Sequence, residues 1–357
     1  MMQDLIRFFL ALSVVLFHYK HFAVQTALSL PPSDYIPPYN EVLNIFYVHG
    51  YHAVAAFFFL SGYMLAIPLG SSINPNFNYR NFILKRLARI YPAHLITLLC
   101  MGLLAILINA LSLEPFITYN DNPINFMASI FLLNGIGIMR DTSFNLPAWS
   151  LSVELFCYLT FGAICRSQLK TKATAFMIGL LIGVAINEIS QDPNTSNLGS
   201  GMVFFFAGAI TATKFRPTLF RIMQNHSLIL ALLLFVSCLS FWLSLQLSLG
   251  LQKVIWLFVS LPTFVISINA FDTKMGQTQH RPLAWFGLMS FSIYIWHFPI
   301  QSLLHYLLHD IEQHHIPVYN SAFLFWIYVP SVLIVAHISL VTIEKWGSSF
   351  IRSFEKS

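Results

Sequence analysis

The sequence predicts an all-α, polytopic membrane protein with about ten transmembrane helices and one short re-entrant segment. It has 357 residues, of which 57% are hydrophobic and only 9% are charged, and its mean hydropathy is +0.68. A water-soluble domain of this size would not tolerate that composition. Apolar runs long enough to cross a bilayer as helices also recur from one end of the chain to the other.

The predicted spans begin close to the N-terminus and follow one another through short polar loops. The first apolar run is too long for a signal peptide and lacks a convincing small-residue cleavage site, so it is assigned as the first span. An eleventh apolar piece, Ile124 to Ile138, is short and broken by glycines, and it either crosses or dips in and returns. The ten spans cover residues 5–29, 43–68, 85–111, 147–165, 173–190, 198–213, 227–247, 252–271, 283–308 and 322–345.

The distribution of basic residues favours the re-entrant reading and places both termini in the cytoplasm. With that topology, all nineteen lysines and arginines except Lys20, Arg140 and Lys253 lie on the inner side, as the positive-inside rule requires. The basic residues therefore report topology and not a nucleic-acid-binding face, although the sequence pI is about 9.0. No soluble domain is visible, so residues 1–357 are expected to form a single membrane-embedded domain.

The first span carries two ionisable residues on one face. Arg7 and His18 are eleven residues apart, which is close to three helical turns and about 16 Å along the axis. Ionisable side chains at membrane depth are costly and usually face the bundle interior, where they mark a site or a pathway. The alternative is an anchor helix with a snorkelling arginine and a structural histidine.

Two other spans contribute polar residues that the topology places in the outer half of the membrane with His18. Glu154 is the carboxylate that lies well inside a predicted span, and His297 follows Tyr294 at the spacing of helix neighbours. A histidine and a carboxylate in a low-dielectric cavity are the minimum needed to activate a hydroxyl by general-base catalysis. The sequence thus predicts His18 and Glu154 as catalytic residues, with Ser292, Tyr294 and His297 as supporting residues.

The inner side carries arginines suited to an anionic ligand. Arg86 and Arg89 lie on one face at the start of the third span, and guanidinium groups bind phosphates through two parallel hydrogen bonds. Topology alone would also account for this cluster. Ser61 and Gly62, near the end of the second span, would let a helix or a ligand approach closely. His305 and His309 have a spacing that can chelate zinc, but no metalloenzyme signature accompanies them and no metal is expected.

Five fragments, in order, resemble the acyltransferase 3 family of integral membrane acyltransferases. They are the Arg7 and His18 pair, FFFLSGYML, RLARIYP, PAWSLSVELFCY and SFSIYIWHFP, and they extend over nearly the whole chain. The IEKWG segment at the end of the last span departs from the family pattern at Trp346, where many members have a proline.

The resemblance implies a bacterial inner-membrane enzyme that takes an acyl group, commonly acetyl, from cytoplasmic acyl-CoA to a carbohydrate on the far side. It implies His18 as the catalytic histidine with Arg7 as its partner, and Arg86 and Arg89 as the paired arginines associated with the donor. From their predicted positions, Arg7 and Ser61 are also assigned to donor binding. Glu154 lies in the family's SLSVE segment, and Trp149 and Ser152 in this segment are assigned supporting roles. The expected partners are acetyl-CoA, a carbohydrate or lipid-linked glycan such as a lipopolysaccharide O-antigen, and membrane lipid, with no nucleic acid.

Two other functions are compatible with buried polar residues in a membrane bundle. A transporter or flippase for a glycolipid or small anion would normally show broken helices in both halves of the chain. A non-catalytic sensor with the same fold would not need His18, Arg7 and Glu154. The sequence does not identify the sugar or the hydroxyl that is modified, and it leaves a homodimer open.

Overall fold

The computed structural model describes residues 2–23, 35–69, 77–117, 121–139, 143–167, 172–275, 281–313 and 318–354. Nine helical rods in these ranges are long and apolar enough to span a membrane, or ten if one bent pair is a single span, which confirms the predicted fold class. The helices are α1 Met2–Tyr19, α2 Asn40–His49, α3 His52–Ala66, α4 Tyr79–Ala110, α5 Pro123–Ile130, α6 Trp149–Arg166, α7 Lys172–Ile189, α8 Pro193–Ile210, α9 Arg216–Asn225, α10 Ser227–Ser244, α11 Leu249–Ile255, α12 Leu261–Met275, α13 Arg281–Gln313, α14 Ala322–Ser339 and α15 Lys345–Ser353.

The second span is broken, whereas the sequence predicted one continuous helix over residues 43–68. Helices α2 and α3 meet at an angle of 60°. At the break, a side chain on Gly50 would collide with the carbonyl oxygen of Ser13 and would lie 2.9 Å from Cβ of Phe17, both in α1. The bend therefore lets this span lie directly against the turn of α1 that precedes His18.

The region between the third and fourth spans is not a full crossing. Helix α5 has 8 residues, or about 12 Å of helix, against the roughly 30 Å of hydrocarbon that a span must cross. Turns then continue as far as Met139. Gly135 in this stretch lies against the backbone of Trp149, and the Asn194 side chain donates to the Met139 carbonyl at 2.8 Å. The short re-entrant segment predicted over Ile124 to Ile138 thus appears as one helix followed by packed turns.

Helix α1 packs along α13, and α3 packs along α8. The second pair is very close because Gly62 faces the backbone of Phe205 while Gly208 faces the backbone of Phe59. Small residues at such crossings allow backbones to approach, which is a common basis for helix association in membranes. The close approach predicted at Gly62 is therefore made by a helix, and the neighbouring Ser61 is turned towards a cavity.

Helix α13 contains a proline at position 299. A proline has no N–H, so the carbonyl four residues earlier, that of Ile295, loses its normal helical partner. The side-chain amide of Asn145 donates to this carbonyl at 3.0 Å. Inside a membrane such a replacement matters because water is not present to satisfy the freed group. Asn145 thereby ties the loop before α6 to the middle of α13.

Candidate active site

A cavity of about 510 Å³ collects six of the residues that the sequence singled out. They come from five helices that are distant in sequence, and Ser150 and Tyr158 of α6 and Ser290 of α13 add further polar groups to the wall. The remaining lining is largely apolar and aromatic. The six residues are Arg7 of α1, Ser61 of α3, Arg86 and Arg89 of α4, Glu154 of α6 and Tyr294 of α13.

The electrostatics of this cavity favour an anion, because three guanidinium groups face one carboxylate. All three arginines are partly buried. The guanidinium of Arg86 lies over the rings of Phe82 and Tyr158, at 5.8 and 5.9 Å from their centroids. Its Nε is buried and, within the described ranges, has no hydrogen-bond partner. A buried charged donor without a partner is costly, so an acceptor oxygen at this point of the cavity would be stabilised.

Glu154 belongs to the arginine cavity and not to the immediate surroundings of His18. Its Oε1 accepts hydrogen bonds from Ser61, at 2.8 Å, and from Tyr158. The sequence predicted Glu154 and His18 at similar depth, and this stays a prediction. The α6 side chain that meets Tyr294 is that of Ser150, one turn before Glu154, at 2.7 Å.

His18 and His297 form a pair whose hydrogen bonds define where the protons lie. Nδ1 of His18 is 2.9 Å from the Val14 carbonyl, and Nδ1 of His297 is 2.6 Å from the Tyr294 carbonyl. Because a carbonyl only accepts, both Nδ1 atoms carry the hydrogen in the neutral rings. Nε2 of His297 is 3.3 Å from Nδ1 of His18, so the Nδ1–H of His18 makes a bifurcated hydrogen bond to the Val14 carbonyl and to Nε2 of His297. Nε2 of His18 is therefore left with its lone pair, as a base or nucleophile needs.

Sequence reasoning missed two residues around this pair. His21 is only 3% exposed, its ring centroid is 5.0 Å from that of His18, and its Nδ1 has no hydrogen-bond partner. Its spacing of three residues from His18, on the same helical face, was the available signal. The Gln301 amide donates to the His18 carbonyl at 2.7 Å. Nothing in the sequence singled out that bond, because it depends on the packing of α13 on α1.

Tyr294 connects the arginine cavity to the histidine pair. Its phenol lines the cavity and donates to the Pro147 carbonyl at 3.0 Å, while its own carbonyl holds His297. One residue of α13 thus contacts both parts of the site. The Tyr294 ring is also 5.9 Å from the His297 ring, between their centroids, so the two parts of the site adjoin at this side chain.

Three predicted supporting residues lie in helix packing and not in the cavity wall. Ser292 donates to the carboxylate of Glu344, which also accepts from Ser339 at 3.2 Å. Ser152 donates to Asn134 at 2.5 Å, and the Trp149 ring packs 6.3 Å from that of Phe58. Glu154 was expected to be the only carboxylate well inside a span, and Glu344 corrects this expectation. The last helical rod continues to Ser353, and Glu344 within it is only 9% exposed.

The segment over residues 305–315 contains four histidines, and of these the structure describes only the side chain of His305, which has a structural role. His305 stacks on Phe116 at 4.2 Å, and its Nδ1 is 3.1 Å from the Tyr319 hydroxyl. The side chain of His309, and residues His314 and His315, lie outside the described part of the chain. Within that part, no group of three or more histidine, cysteine or acidic residues is arranged to hold a metal.

Comparison with known proteins adds a family to this geometry. The model of the acyltransferase domain, Acyl_transf_3, matches residues 4–341. A protein of Shigella phage Sf6 named O-acetyl transferase is 24% identical over 329 residues, which is 89% of each chain. An acyltransferase of Streptomyces mycarofaciens is 35% identical over 112 residues, or 30% of this chain and 27% of that protein.

A Staphylococcus aureus protein that carries the name O-acetyltransferase provisionally is 24% identical over 354 residues. The match covers 85% of this chain and 56% of the S. aureus protein, so the chain spans little more than half the length of that relative. No solved structure shows a significant match to the chain.

Proposed function

The chain belongs to the acyltransferase 3 family, and on that basis we propose that it is a membrane O-acetyltransferase that moves an acetyl group from acetyl-CoA to a hydroxyl of a carbohydrate. The observation that carries the proposal is the pairing of an arginine-lined cavity with a histidine whose Nε2 has no hydrogen-bond partner among the described residues. The names of two relatives, which describe O-acetyl transfer, support the same chemistry.

Arg7, Arg86 and Arg89 are suited to the phosphates of coenzyme A. Guanidinium forks bind phosphate oxygens through paired charged hydrogen bonds, and the buried Nε of Arg86 lacks such a partner. Arg7 and His18 are about 16 Å apart along α1, a separation that a thin thioester arm can cover. The phosphates would then lie in the cavity while the thioester carbonyl reaches the histidines past Tyr294.

The reaction itself needs one base and one oxygen nucleophile. Nε2 of His18 takes the proton of the acceptor hydroxyl while the oxygen attacks the thioester carbonyl carbon. The carbon–sulfur bond then breaks, the acetyl group stays on the acceptor oxygen, and the leaving thiolate takes the proton back from His18. His297 and Val14 hold the ring of His18 in the tautomer that begins this cycle.

A second mechanism uses the same groups. Nε2 of His18 attacks the thioester first, so that the histidine carries the acetyl group before the acceptor receives it. The two mechanisms differ in one measurable respect. Acetyl-CoA labelled in its acetyl group would label the protein without acceptor only if acetyl-histidine forms, and the label would be lost in the His18→Ala variant.

The acceptor and the sidedness are also part of the proposal. The positive-inside pattern supports a cytoplasmic donor and an extracytoplasmic acceptor in a bacterial inner membrane. Compact outer loops suit an envelope polysaccharide, with lipopolysaccharide O-antigen as the leading candidate, an inference that rests on family analogy.

Two measurements test the function. Surface polysaccharide from cells with the gene should contain O-acetyl groups that are missing from cells with His18→Ala. Purified protein should release free coenzyme A from acetyl-CoA when acceptor is present. Movement of a glycolipid without any thioester turnover would instead identify a transporter and refute the proposal.

A further inference from the structure

A lysine lies beside His18 at the end of α1. Lys20 begins the short 3-10 turn that follows this helix, and its Nζ is 3.9 Å from the ring centroid of Phe17. The Phe17 ring centroid is 5.2 Å from that of His18, so the ammonium group lies within about 9 Å of the His18 ring. Lys20 is partly buried. Its charge therefore belongs to the immediate surroundings of the histidine site.

The break between α2 and α3 adds further rings at the same place. The Tyr51 ring centroid is 5.4 Å from that of Phe17 and 3.7 Å from that of His52. The His52 ring in turn lies 6.0 Å from the His49 ring, and the two ring planes are 9° apart. Tyr51 is 39% exposed. These rings thus connect the surroundings of His18 with the surface of the protein.

A second lysine reaches these rings from a distant part of the chain. Lys253 of α11 lies one helical turn before Trp256, whose ring centroid is 4.0 Å from that of His52. Lys253 is exposed, and its charge acts on His52. Lys20 and Lys253 are two of the three basic residues that the predicted topology leaves on the outer side. The lysine–aromatic cluster consists of Lys20, Lys253, Tyr51, His49 and His52.

The charges of this cluster suit an anion. In the part of the chain that the structure describes, no carboxylate forms an ion pair with Lys20 or Lys253. An ammonium group has three N–H donors and binds phosphate or carboxylate oxygens through charge-assisted hydrogen bonds. Basic residues are uncommon on the outer side of membrane proteins, so topology gives no reason for two of them to converge there.

We propose that the lysine–aromatic cluster binds a negatively charged group of the acceptor glycan, a phosphate or a carboxylate, while the hydroxyl to be acetylated lies at His18. This inference rests on the function proposed above and names an acidic sugar as the class of its acceptor. The short distance from Lys20 to the His18 ring, within about 9 Å, supports it because one substituted sugar can reach both groups. Tyr51 offers that sugar an apolar face and a polar hydroxyl.

The position of Lys20 favours an acceptor over the headgroup of a bilayer lipid. A headgroup can pair with an exposed lysine such as Lys253 from the surface. It would not require a second, partly buried cation beside His18. A charged acceptor does require one, because its negative group and its reacting hydroxyl must be held at the same time.

Photolabelling with soluble sugars tests the cluster without turnover. Purified protein in phosphatidylcholine vesicles would be exposed to a diazirine-bearing hexose phosphate, hexuronate or uncharged methyl hexoside. Vesicles with a diazirine-bearing phosphatidylglycerol test lipid binding. We expect at least one charged sugar to label residues 17–20 or 49–52 about tenfold more than the methyl hexoside does, because only a charged sugar forms charge-assisted hydrogen bonds with the lysines. The more strongly labelling sugar identifies the negative group as a phosphate or a carboxylate.

Substitutions of Lys20 separate its charge from its packing. Lys20→Gln should lower labelling by the charged sugar about tenfold, with unchanged acetyl-CoA binding, and should reduce the O-acetyl content of surface polysaccharide. Lys20→Arg keeps the positive charge and should retain most of the label. Lys85→Gln is the matched control, because it removes one positive charge at an exposed site outside the cluster. It should be labelled as the unmodified protein is.

Equal labelling by charged and uncharged sugars would overturn the inference, and so would undiminished labelling of Lys20→Gln by the charged sugar. Stronger labelling of the cluster by phosphatidylglycerol than by either charged sugar would assign it to lipid headgroups and would overturn the inference as well. The proposed function fails in a different way, through the absence of coenzyme A release from the unmodified protein, and the labelling result does not depend on that reaction.

Discussion

His18 combines partial accessibility with a fixed ring, and these two properties separate it from the other histidines of its cluster. His297 is fully buried and His21 is 3% exposed. His18 is intermediate in exposure, and in the part of the chain that the structure describes its Nε2 has no hydrogen-bond partner while its Nδ1 is held by Val14. We therefore expect the two buried rings to position His18 and the chemistry to take place at His18.

We expect His18→Ala to insert and to bind acetyl-CoA, yet to lose acyl transfer by a factor of about a thousand or more, because a base or nucleophile is removed. His297→Ala and Glu154→Gln should each cost less, since neither removes the reacting nitrogen. Initial rates of coenzyme A release, measured beside donor binding, check both statements. Near-normal transfer by an inserted His18→Ala protein would rule out the mechanism.

The arginine cavity gives a prediction about donor affinity. Arg86→Ala or Arg89→Ala should weaken acetyl-CoA binding by about 1.5 to 3 kcal/mol, the range for hydrogen bonds to charged groups. Lys85→Ala is the control, because Lys85 is an exposed cation on the same helix outside the cavity. Equilibrium binding of acetyl-CoA measures all three. If the three substitutions had equal effects, the cluster would be a feature of topology alone.

Ionisable residues were the easiest part of the site to predict from the sequence. Arg7, Arg86, Arg89 and Glu154 stand out because apolar spans exclude charge unless a cavity receives it. Ser292 could not be assigned in the same way, since a serine in a span has many local partners. Its partner, Glu344, is 52 residues away in sequence, and only the packing of the last rod on α13 brings the two together.

At the scale of elements, the bond between Asn145 and α13 can be isolated by a double-mutant cycle. Asn145→Ala should destabilise the protein by about 1 to 3 kcal/mol, because it leaves the buried carbonyl of Ile295 without a donor. Pro299→Ala restores a backbone N–H four residues after that carbonyl. In this second background the cost of Asn145→Ala should fall by at least half, as followed by thermal unfolding in detergent.

An equal cost in both backgrounds would show that the contribution of Asn145 comes from its other contact, the 3.2 Å bond to Thr97. The sequence predicts only one partner of this hydrogen bond. Pro299 indicates that the carbonyl of Ile295 lacks its helical donor, but the residue that donates to it, Asn145, lies 150 positions away from Ile295 and belongs to a loop.

The crossing of α3 and α8 gives a second prediction for an element. Replacing a glycine inside a helix by alanine normally stabilises the helix by up to about 1 kcal/mol, and Gly62→Ala is a change of this kind. Here the added methyl group would meet the Phe205 carbonyl and lie 3.2 Å from its Cα, and backbone atoms cannot turn aside. We expect a net loss of about 1 to 3 kcal/mol in the free energy of unfolding.

Gly250→Ala is the matched control, because a methyl group at Gly250 would meet nothing within 4 Å. It should leave the unfolding temperature unchanged or raise it. A similar loss of stability in both variants would mean that the α3–α8 contact does not depend on a glycine. The sequence predicted a close approach at this site but did not identify α8 as the neighbour.

At the scale of the whole molecule, hydropathy and charge predicted the number of spans and their orientation. The bend between α2 and α3 was not visible, because both halves are equally apolar and the reason for the break lies in α1.

Orientation can be measured directly. In a variant without the four native cysteines, a single cysteine at the exposed Ser353 should be labelled from the cytoplasm, and one at the exposed Gln191 from outside. The reason is the excess of lysine and arginine on the predicted inner side. A membrane-impermeant maleimide applied to intact cells and to inverted vesicles provides the measurement. The reverse labelling pattern would exchange the donor and acceptor faces.

The position of Tyr294, between the arginine cavity and the histidine pair, has an energetic consequence for the proposed reaction. Coenzyme A arrives at the arginine cavity and leaves from it, so its phosphate charges never cross the bilayer. An acetyl group passes outward and a hydrogen passes inward, each as part of an uncharged group. A membrane voltage of 100 mV adds about 2.3 kcal/mol for each elementary charge that crosses, but a completed cycle carries none. A cell whose membrane has lost its voltage could therefore acetylate its surface sugars to the same equilibrium as an energised one.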